Sequence, residues 1–386
     1  MGSAQLRSRM NSRRDGVVGR LAQIYELESG SSRSHAMEGL RGFAVLLVFF
    51  VHCFGLILAR RVNTDVDALS INSLNGWNAV LKWLFMSHHG VYLFFILSGF
   101  LICRLMQKAD FSYPKFIWKR VLRIYPAFLF SLLVCILVGI YSINDFVFDL
   151  PTFIKNLFFL NGVTILKVTP YNRVTWSLFN EFSFYLTVPL IYVLVGPRLL
   201  RERWMIVALG YVLVYGPYLI GYVDARYSFF FVGMFVASFK DADLRRFCDR
   251  LPTPFVIGCY LFATTAWVFR VVDFGTFVLF FCAGGALLFI KSSYGEGTLN
   301  RLFSYRPLRY LGNISYSFYL IHALVIDALF NKLFGDGGVL FEPLWIAIFI
   351  VVSFAGGWLS ATLMFVVLER PYFPRKDRAT FANSAP

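Results

Sequence analysis

From Gly42 to Ala59 the chain contains no Asp, Glu, Lys or Arg, and runs of that kind recur down to its C-terminal end. A helix needs about 20 mainly apolar residues to cross the hydrocarbon core of a bilayer. Reading for such runs gives ten: 40–59, 88–106, 123–143, 177–196, 204–222, 226–239, 254–271, 273–291, 311–334 and 343–368. The sixth is short, and only Arg270 to Asp273 separate the seventh from the eighth. The expected fold is an all-α polytopic membrane protein with about ten transmembrane helices. Composition removes the alternatives. Of the 386 residues 58% are hydrophobic, 15% are charged and 44 are Phe, whereas a soluble domain carries roughly 25% charged residues. A single soluble core stops growing near about 250–300 residues, too small to hide so many large side chains.

Charge supplies the orientation. The chain has 37 Lys and Arg against 22 Asp and Glu, a net charge of +15. A nucleic-acid binder would gather that excess into a patch on a polar domain; here it punctuates the apolar runs. If the N-terminus is cytoplasmic, only Arg60, Arg61, Lys82, Lys155, Lys167, Arg173, Arg226, Arg270 and Lys332 fall on the other side. The alternation holds to the last run, which places both termini in the cytoplasm by the positive-inside rule. Residues 1–36 are expected to be a basic, mobile cytoplasmic tail without a signal-peptide core, 37–370 the membrane domain and 371–386 a second cytoplasmic tail. The six cysteines include no CxxC pair and read as reduced packing residues. In 76–87, Trp77, Val80, Leu81, Leu84 and Phe85 recur with helical spacing, marking an interfacial helix. Residues 151–162 are apolar but too short to span and are expected to lie on or dip into the outer leaflet.

Ionisable groups at membrane depth are costly unless paired or facing water, so they are functional candidates. Arg41 and His52 are eleven positions apart, which returns them to one helix face at a separation of roughly 16 Å. They form either a snorkelling arginine with a core histidine, or a cationic mouth leading to a buried base. Arg120 and Arg123 share a helix face at the start of the third run, suited to forking onto phosphate oxygens or to anchoring the helix at the cytoplasmic interface. Glu181 lies one turn into the fourth run, at the expected depth of His52, where a carboxylate would fix an imidazole's tautomer or simply be capped by Thr175 or Ser177. In the ninth run Ser315, Tyr319 and His322 share a face, lining a polar cavity or joining helices. No residue pair has metal-ligand spacing, and there is neither a Gly-rich phosphate loop nor a GxSxG elbow. A basic mouth with a buried base beyond it suits a phosphorylated donor carrying its reactive group on a long arm, the shape of acyl-coenzyme A.

At these residues the chain resembles the acyltransferase 3 family of integral membrane acyltransferases. The matching features are the Arg41-to-His52 spacing, the Gly90–Phe100 stretch containing Ser98, Arg120/Arg123 with Tyr125-Pro126, and Trp176-Ser177-Leu178 with Glu181 and Tyr185. Phe231-Val232-Gly233-Met234 and the run from Ser315-Tyr316 through Tyr319-Leu320 to His322 complete them. The resemblance covers roughly residues 37–370. It implies transfer of an acyl group, usually acetyl, from cytoplasmic acyl-CoA to a hydroxyl of a cell-surface or lipid-linked glycan. His52 would be catalytic with Glu181, and Arg41, Arg120 and Arg123 would bind the acetyl-CoA co-substrate. Ser98, Trp176, Tyr185, Tyr319 and His322 would hold substrate. The implied setting is a bacterial inner membrane, with acyl-CoA, a glycan and lipid as partners, no nucleic acid and no metal. The chain looks like the stand-alone type, without a soluble hydrolase-like domain. The alternative is a transporter or flippase for a glycan or acyl-group carrier, for which inverted repeats would be expected and are not found.

Overall fold

The computed structural model describes residues 24–26, 34–62, 88–142, 147–219, 225–334 and 343–372. Among them every regular element is a helix. Helix α1 spans His35–Val62, α2 His89–Met106 and α3 Tyr113–Ser142. A short α4, Leu150–Leu157, precedes α5, Trp176–Val195. Then come α6, Arg203–Leu219, α7, Ser228–Ala237, α8, Asp241–Arg250, and α9, Thr253–Val268. Helix α10 is Phe274–Tyr294, α11 Arg306–Asn313, α12 Ser315–Phe334 and α13 Pro343–Met364.

Among the described residues each of the ten apolar runs overlaps a helix, the ninth being divided between α11 and α12, but not all are equal. Seven helices among the described residues are long and apolar enough to cross a membrane. α8 and α9 form a pair bent by 93°, and Arg203–Pro217 and Ala225–Ala237 are shorter apolar helices. The chain is therefore an integral membrane protein by length and composition. The expected helix at 76–87 lies outside the described residues. Of the N-terminal segment, Tyr25 is buried, its ring stacked 5.2 Å from that of Tyr310 and its carbonyl accepting from Asn313 at 3.0 Å.

Packing follows membrane logic. Lipid adds no hydrophobic drive between helices, so close backbone approach and van der Waals contact hold the bundle. α2 and α7 show this best. A Cβ on Gly99 would sit 1.9 Å from the Phe230 carbonyl oxygen, and one on Gly233 2.0 Å from that of Ile96. Only glycine permits this crossing. On the outside, Leu133, Leu137 and Ile140 of α3 and Leu359 and Leu363 of α13 are exposed, as lipid-facing side chains should be.

The segment between α3 and α5 positions the site. Asp149 caps α4, accepting from the Thr152 amide at 2.8 Å, and the Thr152 contacts hold its carboxyl below the ordinary carboxylate range. Buried Asn156 then ties α4 to the following loop, donating to the Thr169 carbonyl at 2.9 Å and accepting from the Tyr171 amide at 3.2 Å. Asn172 donates at 2.9 Å to the Leu320 carbonyl, and Tyr319 donates to the Val174 carbonyl. The chain thus turns inward before α5 begins, satisfying its backbone against α12 rather than against water. Residues 151–162, expected on or in the outer leaflet, form most of α4 and the short turn after it. The consequence of the inward turn is that α5 starts well inside the bundle.

Candidate active site

One cavity of about 130 Å3 collects most of the candidate residues. Arg41 from α1, Ser98 from α2, Arg120 and Arg123 from α3, Glu181 and Tyr185 from α5, and Tyr319 from α12 all line it. The sequence separates them by up to 278 positions, and five helices bring them together.

At one end the cavity is cationic. The Arg120 guanidinium lies 5.2 Å from the Phe116 ring centroid and 5.1 Å from that of Tyr185. Such stacking holds the guanidinium plane while leaving its edge donors for an anion. Arg41 Nη2 donates to Ser315 Oγ at 3.4 Å. The Tyr316 hydroxyl donates to the Ile124 carbonyl at 2.9 Å, fixing α12 against the arginine-bearing turn of α3.

Glu181 stands in the wall. Its Oε1 accepts from Ser98 Oγ at 3.2 Å and from the Tyr185 hydroxyl. The sequence placed Glu181 at the depth of His52; the structure corrects this. Because residues 150–175 turn inward, α5 begins at the level of Tyr319, and one turn further on Glu181 faces Ser98 and Tyr185 on the arginine side.

His52 meets His322 instead. The two rings pack edge to face with centroids 5.0 Å apart. His322 is fully buried, and its Nδ1 lies 2.9 Å from the Phe318 carbonyl oxygen. A carbonyl only accepts, so Nδ1 carries the proton and Nε2 presents a lone pair. That Nε2 is buried without a hydrogen-bond partner among the described residues. Tyr319 separates this pair from the cavity: its ring lies 6.0 Å from that of His322, and its hydroxyl is 2.8 Å from Ser177 Oγ. Tyr319 and then His322 thus link the cavity to His52. Trp176 does not line the cavity; its ring stacks 5.2 Å from the Arg226 guanidinium, which also faces Tyr92 and Phe274.

Two features escaped the sequence. Glu369 is buried, accepts from Ser317, and interacts electrostatically with Arg123 and Arg41. The signal was present: it is the sole acid between Glu342 and Asp377, at the end of the last apolar run. The second is the buried ion pair of Glu38 with Arg309 at 3.1 Å, which fixes the start of α1 to α11. Among the described residues no three His, Cys, Asp or Glu are grouped to hold a metal, and the six cysteines are unbridged.

A family model described as an acyltransferase domain matches residues 34–362. The chain is 32% identical over 186 residues to a protein of Acidianus two-tailed virus named as an acetyltransferase, covering 47% of each. It is 31% identical over 180 residues to the acyltransferase MdmB of Streptomyces mycarofaciens, covering 45% of this chain and 42% of the relative. It is 24% identical over 367 residues to the peptidoglycan O-acetyltransferase OatA of Listeria monocytogenes, covering 81% of this chain and 56% of the relative. The chain thus spans about half the length of the curated relatives it matches. No solved structure matches it.

Proposed function

The chain belongs to the acyltransferase 3 family, and from that premise we propose that it transfers an acyl group, acetyl above all, from cytoplasmic acyl-CoA to a hydroxyl of a cell-surface or lipid-linked glycan. In this reading ten helices cross a bacterial inner membrane with both termini in the cytoplasm, so the arginine end of the cavity opens towards the donor. Arg41, Arg120 and Arg123 bind the phosphates of the coenzyme, each as a charge-assisted donor in a water-poor site. Roughly 16 Å separates Arg41 from His52 along α1, a span that the thin arm of acyl-CoA covers.

His52 is the base. It takes the proton of the acceptor hydroxyl as that oxygen attacks the thioester carbonyl. The carbon–sulfur bond breaks, the new ester forms, and coenzyme A leaves as the thiol with the proton returned from the imidazolium. His322, with its tautomer set by the Phe318 carbonyl, holds the ring of His52 in place. Tyr319 and Ser177 line the last step of the path, and Ser98, Glu181 and Tyr185 hold the wall against which the arm lies. Trp176 presents an aromatic face where a sugar ring stacks.

The observation that supports this reading most is a cavity lined by three arginines from two helices, with the histidine pair behind its Tyr319 wall. The test is thioester cleavage. Purified protein with acetyl-CoA and a glycan acceptor is expected to release free coenzyme A and form an acetyl ester, and the His52→Ala protein to release none above background. Normal turnover by that variant would remove the mechanism. Movement of a glycan across vesicles without coenzyme A release would favour a flippase.

A further inference from the structure

The bundle's two short helices leave room beside them. α6 and α7 have 17 and 10 residues, against 21 for α10. Between these three lies a cleft of about 1040 Å3, which shares no lining residue with the arginine cavity. That volume is at the upper end of small-molecule sites, roughly 300–1,000 Å3. Val207 and Val214 of α6, Phe231 and Phe235 of α7, and Leu279 and Leu287 of α10 form its apolar walls.

One end of the cleft is closed by α8, which contributes Asp243, Leu244 and Phe247. α8 is amphipathic: Leu244 and Cys248 are buried, while Arg245, Arg246, Asp249 and Arg250 are exposed. It meets α9 at 93°. A helix of this make-up, lying across the ends of spanning helices, belongs at the polar interface. The closed end of the cleft is therefore at headgroup depth, and the apolar walls run from there into the hydrocarbon.

Two opposite charges flank that end. The Arg203 guanidinium stacks 4.0 Å over the ring of Phe239, which lines the cleft. Asp243 lines the floor one turn further along the chain. Both are exposed, and among the described residues neither forms an ion pair with the other or with any third group. A cation and an anion held apart at the polar end of an apolar cleft complement a ligand with both charges and a long apolar tail.

We propose that this cleft binds one membrane phospholipid whose headgroup carries a phosphate and a primary ammonium, as in phosphatidylethanolamine. The phosphate sits on Arg203, the ammonium on Asp243, and an acyl chain lies along α6, α7 and α10. The uncharged glycerol of phosphatidylglycerol would give the Asp243 carboxylate a hydroxyl but no opposite charge, and the methylated ammonium of choline has no N–H to give it. The opposite face of α7 crosses α2 at Gly99 and Gly233, and α2 carries Ser98 into the reaction cavity. A filled cleft therefore backs the wall of that cavity. The site stands independently of the transfer reaction.

The full chain, purified in mild detergent and stripped of lipid, is mixed with equal amounts of phosphatidylethanolamine, phosphatidylglycerol and phosphatidylcholine, and bound lipid is counted by native mass spectrometry. One phosphatidylethanolamine per chain is expected, favoured about fivefold over either competitor, the scale of one exposed ionic contact. Asp243→Asn, which alters an exposed group and leaves the apolar walls intact, abolishes the preference. Ala283→Phe with Ala286→Phe fills the cleft and removes the lipid. Equal or better binding of phosphatidylglycerol by the wild type would overturn the headgroup assignment. Equal retention by the wild type and the double phenylalanine variant would overturn the site.

Discussion

The candidate site has two polar layers, and they treat their polar groups differently. In the arginine layer charged groups have company: Arg120 lies over Phe116 and Tyr185, Arg41 reaches Ser315, and Glu181 is held by Ser98 and Tyr185. In the imidazole layer, one turn beyond Tyr319, His322 has one nitrogen fixed and the other buried with no partner, and His52 rests against it. Buried polar atoms are nearly always satisfied, so an exception needs a reason. Guanidinium groups held by ring stacking and a hydroxyl are suited to holding an anionic ligand; an imidazole nitrogen presenting its lone pair is suited to a group that must exchange protons. The difference assigns binding to the first layer and chemistry to the second.

The largest effect that tests this division is His52→Ala, expected to lower kcat about 10²–10⁴-fold, the span of general-base contributions, with the KM for acyl-CoA unchanged. A raised KM with normal kcat would break the comparison at once. Next, Arg120→Ala and Arg123→Ala should each raise the KM for acyl-CoA by about 10–100-fold, as loss of a charge-assisted hydrogen bond does, while kcat holds. Arg120→Lys recovers only part of this, because an ammonium lacks the planar stack on Tyr185. His322→Leu should cost about tenfold in kcat and His322→Gln less, with thermal melting of the two variants alike; the ratio of their rates reads positioning rather than packing. The smallest expected effect belongs to Glu369→Gln. Removing a carboxylate that competes for Arg41 and Arg123 should tighten acyl-CoA binding a few-fold, and a weakening would place Glu369 among the groups that bind the donor.

Much of this was legible without coordinates. Hydrophobic run length announced the spans, since a helix in lipid must satisfy its own backbone and stay apolar over the thickness it crosses. The arginines and histidines stood out because charge at that depth is expensive. The Arg41-to-His52 spacing survives in α1 as a residue that lines the cavity and one that lies beyond it. The short helices were only partly readable: the sixth run stood out as short, and α7 keeps ten of its residues. Trp176 was grouped with the cavity by motif, yet its ring turns to Arg226. Sequence position fixes where a side chain is attached and leaves open which neighbour wins its face.

Glu181 shows where the boundary between the two kinds of information lies. By itself the sequence determined that this protein is a helical membrane bundle, which residues carry charge or a proton-transfer group into it, and which family it joins, because apolar run length, charge alternation and motif order are one-dimensional properties. The depth of Glu181, its capture by Ser98 and Tyr185, the meeting of His52 with His322 and the arrival of Glu369 beside two arginines were decided only in three dimensions. They depend on how far residues 150–175 turn inward and on how closely glycine lets two helices cross. Both are settled by long-range hydrogen bonds and backbone contacts that no local pattern encodes.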